Sequence, residues 1–191
     1  MKRRSIFSFT IAALALTAVA FTLQPSAAPA AAQNSNTKVE RGSYLVKIMG
    51  CNDCHTPWKM GPQGPEPDMT LMLSGHPQDL VMPSVTLEKG PWGWVGAATN
   101  TAFSGPWGVS FTANLTPDPE SGLGKWTDET FIRALRTGRH EGQGRPILPP
   151  MPYLQYRNAT DEDLRAVFAF LQSIPAIRNR VPQPIDPPES E

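Results

Sequence analysis

Five consecutive residues, Cys51-Asn52-Asp53-Cys54-His55, limit what this chain can fold into more than any other feature of its sequence. Cys51 and Cys54 are its only cysteines, and residues at positions i and i+3 lie on one side of a helical turn. Two thiols placed in this way can add to the two vinyl groups on one edge of a haem, and His55 then lies under the iron as the proximal ligand. Cys-x-x-Cys-His is accordingly the signature of haem attachment. The motif predicts one covalently bound haem c.

Two other roles for the cysteine pair compete with haem attachment. A disulfide between Cys51 and Cys54 would close a very small loop, and the stabilisation that a disulfide gives grows with loop length. A thioredoxin-like redox pair needs a strand–helix–strand setting, which the surrounding sequence does not indicate. The histidine that directly follows the second cysteine favours haem.

The first 32 residues have the layout of a secretory signal peptide. Three basic residues follow Met1, an apolar run extends from Ile6 to Leu23, and small residues precede the end of the segment at Ala32. A positive start, an apolar run and an Ala-x-Ala end are typical of cleaved leaders. We therefore expect cleavage near Ala32 and a periplasmic protein with a single domain over residues 33–191. The alternative is an uncleaved anchor, because the apolar run is about long enough to cross a bilayer.

Composition excludes one class of partner and marks one unusual segment. The formal net charge at pH 7 is zero, so the charge balance does not suggest binding to nucleic acid. Residues 56–126 hold all five tryptophans and are rich in proline and glycine, which favour irregular backbone. We expect a long irregular excursion that is packed, because large apolar rings need covering. Short strands or turns are expected near residues 92–111, and an extended tail over residues 176–191.

Three segments are predicted to be helices. The first covers about residues 39–50 and leads directly into Cys51. The second begins after the capping hydroxyl of Thr127 and stops at Gly138, and the third begins after Thr160 and ends before Pro175. Their predicted inward faces are apolar: Val39, Leu45, Ile48 and Met49 in the first; Phe131, Ile132 and Leu135 in the second; Leu164, Val167, Phe168 and Leu171 in the third.

Met151 is the preferred candidate for a second iron ligand. An electron-transferring haem commonly has Met or His as its sixth ligand. Pro150 and Pro152 flank Met151 and disfavour a helix there, so they fix the backbone beside a weak thioether ligand. His140 is the first alternative, and His76 is expected to fix a loop or lie at the surface. The remaining methionines after the motif are expected to pack in the core: Met60, Met69, Met72 and Met82.

These segments together resemble the class I cytochrome c domain, and more narrowly the cytochrome c subunits of bacterial membrane-bound dehydrogenases. The resemblance extends from about residue 41 to residue 175 and is weakest between residues 56 and 113. The segments that carry it are Gly42-Ser43-Tyr44-Leu45, Cys51-Asn52-Asp53-Cys54-His55, Asn114-Leu115-Thr116-Pro117-Asp118, Gly122-Leu123-Gly124-Lys125-Trp126-Thr127, Pro150-Met151-Pro152-Tyr153 and Asp161-Glu162-Asp163-Leu164.

The resemblance implies a fold and a set of ligands. The fold would be all-α, wrapped around one haem, with crossing N- and C-terminal helices and the Pro/Gly/Trp-rich segment as an insertion. The crossing contact would involve Gly42 and Tyr44 on one helix and Phe168 or Phe170 on the other. The family's roles fall here on Cys51 and Cys54 as covalent attachments and on His55 and Met151 as axial ligands of the haem iron. The dehydrogenase subunits usually carry several haem motifs, whereas this sequence has one.

The predicted function is that of a periplasmic mono-haem electron carrier, not an enzyme. Its expected partners are redox proteins such as a dehydrogenase and a terminal oxidase or reductase, with membrane association only through a partner or an uncleaved leader. The alternatives are a peroxidase-like haem enzyme and a haem-based sensor with a displaceable sixth ligand. Three arginines, Arg133, Arg139 and Arg145, are candidates for pairing with haem propionates, although solvated surface positions are the simpler expectation.

Overall fold

The computed structural model describes residues 30–83, 85 and 90–187. Its helices are α1 (Ala30–Ile48), α2 (Cys51–His55), α3 (Asp128–Thr137), α4 (Tyr153–Tyr156) and α5 (Asp161–Ser173). Its strands are β1 (Trp58–Gly61), β2 (Gly64–Pro67), β3 (Val95–Gly96), β4 (Ala102–Gly105) and β5 (Gly108–Phe111). Two short 3₁₀ turns lie at Met69–Leu71 and His140–Gly142.

The core lies where α1 crosses α5, with α3 packed beside them. Leu45 and Val46 of α1 are buried against the apolar face of α5, which includes Leu164 and Leu171. The crossing is close at Gly42, because a Cβ there would overlap the backbone of Ala166 and approach the Cβ of Phe170. The expected crossing of the first and last helices is confirmed, with Gly42 and Phe170 at the contact; Tyr44 is instead 53% exposed.

The predicted ends of α3 and α5 are confirmed. The side chain of Thr127 accepts a hydrogen bond from the backbone N–H of Thr130, and that of Thr160 accepts from the N–H of Asp163. These bonds satisfy N–H groups that have no partner inside the helix. Gly138 ends α3 in the left-handed region, with φ of 66°. The apolar faces predicted for both helices are buried.

The prediction for α1 is wrong in its start and in part of its buried face. The helix begins at Ala30, well before Val39, and it ends at Ile48. Ile48 is 61% exposed, whereas Val46 is fully buried. The close approach at Gly42 decides which side of the helix faces α5, and that side includes Leu45 and Val46.

The expectation of an all-α fold is contradicted. The described residues contain two antiparallel sheets, one of β1 and β2 and one of β3, β4 and β5 in that order. The registers pair Gly61 with Gly64 and Gly105 with Gly108. The short strands expected near residues 92–111 are confirmed by β3 to β5, but the first sheet was not predicted.

Both hairpins share a sequence pattern that accounts for them, Gly-Pro-x-Gly at residues 61–64 and 105–108. Proline fixes φ at the first central position of the turn. Gly64 and Gly108 then have φ of 122° and 89°, which side-chain-bearing residues rarely adopt. The repeated pattern was the available signal for strands in a segment that has no sustained period.

The expectation that the excursion is packed around its tryptophans is confirmed only in part. Trp92 is 78% exposed and Trp94 is 46% exposed, while Trp58, Trp107 and Trp126 are partly buried. The two exposed rings lie outside the α1–α5 core, on the segment that leads into β3.

The predicted signal peptide falls almost entirely on residues 1–29, which lie outside the described residues. Among the residues that are described, no helix combines the length and the apolar character needed to cross a membrane.

Candidate functional site

A cavity of about 740 Å³ lies beside α2 and collects most of the predicted site residues. Cys51, Cys54 and His55 line it from the motif, and Met151 lines it from the loop before α4. The rest of the wall includes the end of β5, α3, parts of the stretches at residues 119–126 and 140–148, and the tail around Arg180. Residues far apart in the sequence therefore form one site.

Gly50 turns the chain from α1 into α2. It has φ of 67°, a left-handed conformation in which glycine carries no penalty, and its carbonyl accepts from the N–H of Asp53 at 3.0 Å. The N–H of Thr56 donates to the carbonyl of Asn52 at 3.2 Å, which closes the short helix. In this single turn Cys51 and Cys54 both reach the cavity. The predicted one-sided placement of the thiols is confirmed.

The environment of the thiols does not suit a redox pair. Burial raises the pKa of Cys51 to about 12, and burial together with the charge of Asp53 raises the pKa of Cys54. The two cysteines are not joined by a disulfide. Thiol–disulfide enzymes depend on a lowered cysteine pKa, because the thiolate is the reactive form. The pair is thus held as two neutral thiols at neutral pH.

His55 is buried, and the hydrogen bond of its ring leaves one nitrogen free. Its Nδ1 lies 2.7 Å from the carbonyl oxygen of Ala113, which can only accept, so Nδ1 carries the proton. The lone pair of Nε2 is then available to a metal. Burial lowers the pKa of His55, and the bond to Ala113 opposes this only in part. The imidazole is therefore neutral at neutral pH, as a ligand requires.

Met151 is the only one of the methionines after the motif that lines the cavity in the described part of the chain. Met60 is 77% exposed and Met69 is more than half exposed, so the expectation that these two pack in the core is wrong. Met72 packs against the edge of the core. The loop that carries Met151 is tied to β5 by a hydrogen bond from Ser110 to the carbonyl of Pro149.

The two remaining histidines after the motif have different settings. His140 also lines the cavity, and its ring meets that of Trp126 edge-on at a centroid distance of 5.2 Å. His76 is fully buried and is not part of the cavity wall. Both of its ring nitrogens are hydrogen bonded, to Thr101 and to the carbonyl of Leu80. The loop-fixing role predicted for His76 is confirmed, and a surface position is not.

Basic side chains line part of the cavity. Arg133 and Arg145 do so, although solvated surface positions were the simpler expectation, whereas Arg139 does not and instead donates to the carbonyl of Gly144. Arg180, on the C-terminal tail, also lines the cavity. Sequence reasoning missed Arg180, because only the path of the tail across the edge of β5 brings it there. That path is fixed by reciprocal backbone hydrogen bonds between Val109 and Ile185.

No protein-family model matches the chain. Individual proteins do match. The chain is 29% identical over 174 residues to the cytochrome c subunit of the quinone alcohol dehydrogenase of Gluconobacter oxydans, covering 90% of this chain and 28% of that protein. It is 31% identical over 150 residues to a diheme cytochrome c-type protein of Cereibacter sphaeroides, covering 78% of this chain and 40% of that protein.

A shorter match, 39% identical over 85 residues, is to a subunit of the nicotinate dehydrogenase of Pseudomonas putida and covers 44% of this chain and 7% of that protein. This chain therefore spans well under half the length of each of these relatives. Cytochrome subunits of fructose and gluconate dehydrogenases match as well. The resemblance inferred from the sequence motifs is confirmed.

Proposed function

We propose that this chain, whose homologues are cytochrome c subunits of membrane-bound dehydrogenases, is an electron-transferring cytochrome with one haem c held by Cys51 and Cys54. His55 and Met151 are its proposed axial ligands. One observation carries the proposal: two neutral thiols, an imidazole with a free nitrogen and a thioether line the same cavity.

The residues around the cavity fit this group. The thiols are one helical turn apart and are not joined by a disulfide, which suits addition of each S–H across one vinyl group. The bond from His55 to Ala113 fixes both the tautomer and the orientation of the ring. Arg133, Arg145 and Arg180 provide cations for haem carboxylates at the wall.

The bound haem would supply an iron that cycles between the ferrous and ferric states, with a potential that methionine ligation raises. The contribution of the chain is to hold the imidazole and the thioether in place and to limit water in the cavity. If His55 and Met151 both bind the iron, no position would remain for a substrate. This favours electron transfer over a peroxidase-like activity.

Absorption spectra of the oxidised and reduced protein test the proposal. We expect a low-spin c-type spectrum with a methionine-to-iron charge-transfer band. Met151→Ala should abolish that band. Met72→Ala is the matched control, because Met72 is partly buried but does not line the cavity, and it should leave the band in place.

Three results would contradict the proposal. A high-spin ferric spectrum with rapid binding of cyanide or CO would favour a haem enzyme or a sensor with a displaceable ligand. A methionine band that survives in Met151→Ala would assign the sixth ligand to another methionine. A low-spin spectrum without the methionine band in the unmodified protein would point to His140, which lines the same cavity.

The number of haems is part of the proposal. One relative is named a diheme cytochrome, whereas this sequence has a single Cys-x-x-Cys-His motif. The intact mass of the purified protein should exceed that of the polypeptide by one haem. A mass corresponding to two would require a second site that is not a Cys-x-x-Cys-His motif.

Partners and location follow from the names of the relatives and from the leader. We propose a dehydrogenase as electron donor, a terminal oxidase or reductase as acceptor, and a periplasmic location after cleavage near Ala32. Membrane association would arise only through a partner or a retained leader. The N-terminal sequence of the purified protein should begin near Gln33, and an intact Met1 would contradict cleavage. Reduction of the oxidised protein by membranes supplied with alcohol, fructose or gluconate would test the donor.

A further inference from the structure

Ser110 joins the hairpin of the insertion to the loop that carries Met151. Its hydroxyl donates to the carbonyl oxygen of Pro149 at 2.6 Å, across 39 positions of sequence. Ser110 lies on β5 and is only 7% exposed, so water competes little for this bond. The two residues, which both line the cavity, connect the second sheet to the loop that carries Met151.

The hydroxyl proton of Ser110 has one strong acceptor. The carbonyl of Phe103 is also near, at 3.3 Å, but one O–H cannot donate fully to both, and the shorter contact is the stronger. The indole N–H of Trp107 donates to the same Oγ at 3.3 Å. That donation occupies a lone pair of the oxygen and strengthens the bond that Ser110 makes in turn.

Besides the packing of Met151 against the core, one backbone hydrogen bond ties the start of this loop to the end of α3, from the N–H of Ile147 to the carbonyl of Gly138 at 2.8 Å. Pro149, Pro150 and Pro152 have no backbone N–H. Three of the four residues nearest to Met151 in sequence, two on each side, therefore cannot donate a backbone hydrogen bond. The N–H of Met151 donates within the loop, to the carbonyl of Leu148 at 3.3 Å. The bond from Ser110 to Pro149 therefore fixes the loop from outside, two residues before Met151.

We infer that Ser110 is a positioning residue that holds the thioether of Met151 in the cavity. The inference rests on the proposed function, in which Met151 is an axial ligand. It also gives the Pro/Gly/Trp-rich segment at residues 56–126 a role in holding both proposed iron ligands. Ser110 acts on the loop of Met151, and Ala113, three residues later, accepts from the ring of His55.

The test is the affinity of the oxidised protein for imidazole, which competes with Met151 for the iron. Ser110→Ala leaves the carbonyl of Pro149 without its donor, and the dissociation constant for imidazole should fall about tenfold. Ser104→Ala is the matched control. Ser104 is a buried serine of the adjacent strand that donates to Val85 and does not line the cavity, and its replacement should leave the dissociation constant unchanged. Should Ser110→Ala fail to take up haem, Ser110→Cys, whose thiol is a weak donor, should shift the constant in the same direction.

The outcomes separate this inference from the proposed function. If the unmodified protein has the methionine band and Ser110→Ala binds imidazole as the unmodified protein does, Ser110 does not position Met151 and the inference fails alone. An equal shift in Ser104→Ala would also overturn it, because the effect would then belong to any buried serine of the sheet. If the unmodified protein lacks the methionine band, the ligation of Met151 fails, and the inference fails with it.

Discussion

Gly42 of α1 lies directly against the backbone carbonyl of Ala166 in α5, so that even one methyl group on Gly42 would overlap it. Glycine is a poor helix former, and replacing it with alanine in a helix ordinarily gains up to about 1 kcal/mol. Here the neighbour is backbone and cannot turn aside. The contact therefore explains why the helix that leads into the cysteine–histidine motif keeps a glycine in its middle.

Gly42→Ala should destabilise the protein. Forcing the two helices apart costs about 1–3 kcal/mol of unfolding free energy, which outweighs the gain in helix propensity. Urea unfolding followed by circular dichroism would measure it. Gly93→Ala is the control, because a Cβ at Gly93 meets no atom within 4 Å. Equal stability of the two variants would show that the crossing tolerates a wider separation.

Gly108→Ala should loosen the C-terminal tail. Gly108 has φ of 89°, and a Cβ there would overlap the carbonyl of Ile185, the residue that pairs with Val109. Movement of the tail away from β5 relieves this overlap, and overpacking of this kind costs about 1–3 kcal/mol. The open form of the tail should then be populated about tenfold more. Trypsin cleavage after Arg178 and Arg180, both exposed, should accelerate by a similar factor in limited proteolysis. Cleavage at the unmodified rate would indicate that the tail is held mainly by contacts other than this bridge.

His76 should make stability depend on pH. Burial lowers the pKa of His76 from its ordinary 6.5, and the hydrogen bond to Leu80 opposes this only in part. Below pH 6.5 His76 binds a proton in the unfolded chain but stays neutral in the folded chain until the pH reaches its lower, folded-state pKa. The unfolding free energy therefore falls as the pH drops from 6.5 toward that pKa. Above pH 6.5 the ring is neutral in both states and contributes no slope.

The measurement for His76 is urea unfolding at several pH values between 5 and 8. His76→Gln should be less stable at pH 7.5, because it loses the ring contact with Phe111 and the hydrogen bond between His76 Nδ1 and the hydroxyl of Thr101. Its unfolding free energy should also depend less steeply on pH between 5 and 6.5. Parallel curves for the two proteins would assign the pH dependence to other groups.

Thr160→Ala should lower the unfolding free energy by about 1 kcal/mol. The hydroxyl of Thr160 accepts from the N–H of Asp163 at 3.1 Å and so satisfies a free donor at the start of α5. Thr137→Ala offers a contrast, since the exposed hydroxyl of Thr137 donates back to the carbonyl of Arg133 in the last turn of α3 at 2.9 Å, with the carbonyl of Gly142 farther away at 3.2 Å. That bond adds little to helix stability, so its loss should change the free energy by less than about 0.5 kcal/mol. Thermal or urea unfolding of both variants would measure the two changes in unfolding free energy.

The local features of the chain could be predicted from the sequence. The capping threonines, the stop at Gly138 and the buried faces of α3 and α5 depend on residues within one or two turns of each other. The placement of Cys51 and Cys54 on one side of α2 is of the same kind. These interactions span only a few positions, so spacing alone specifies them.

The tertiary structure decided the rest. The carbonyl of Ala113 reaches His55 across 58 positions, and Ser110 reaches Pro149 across 39. Sequence spacing does not specify such partners, because they depend on where the two hairpins place the backbone that follows them. The all-α expectation failed for the same reason: the insertion forms sheets through Gly-Pro-x-Gly turns and not through a sustained period. The sequence by itself thus determined the cysteine–histidine motif and the helices around it, while long-range backbone contacts decided what holds His55 and Met151 at one cavity.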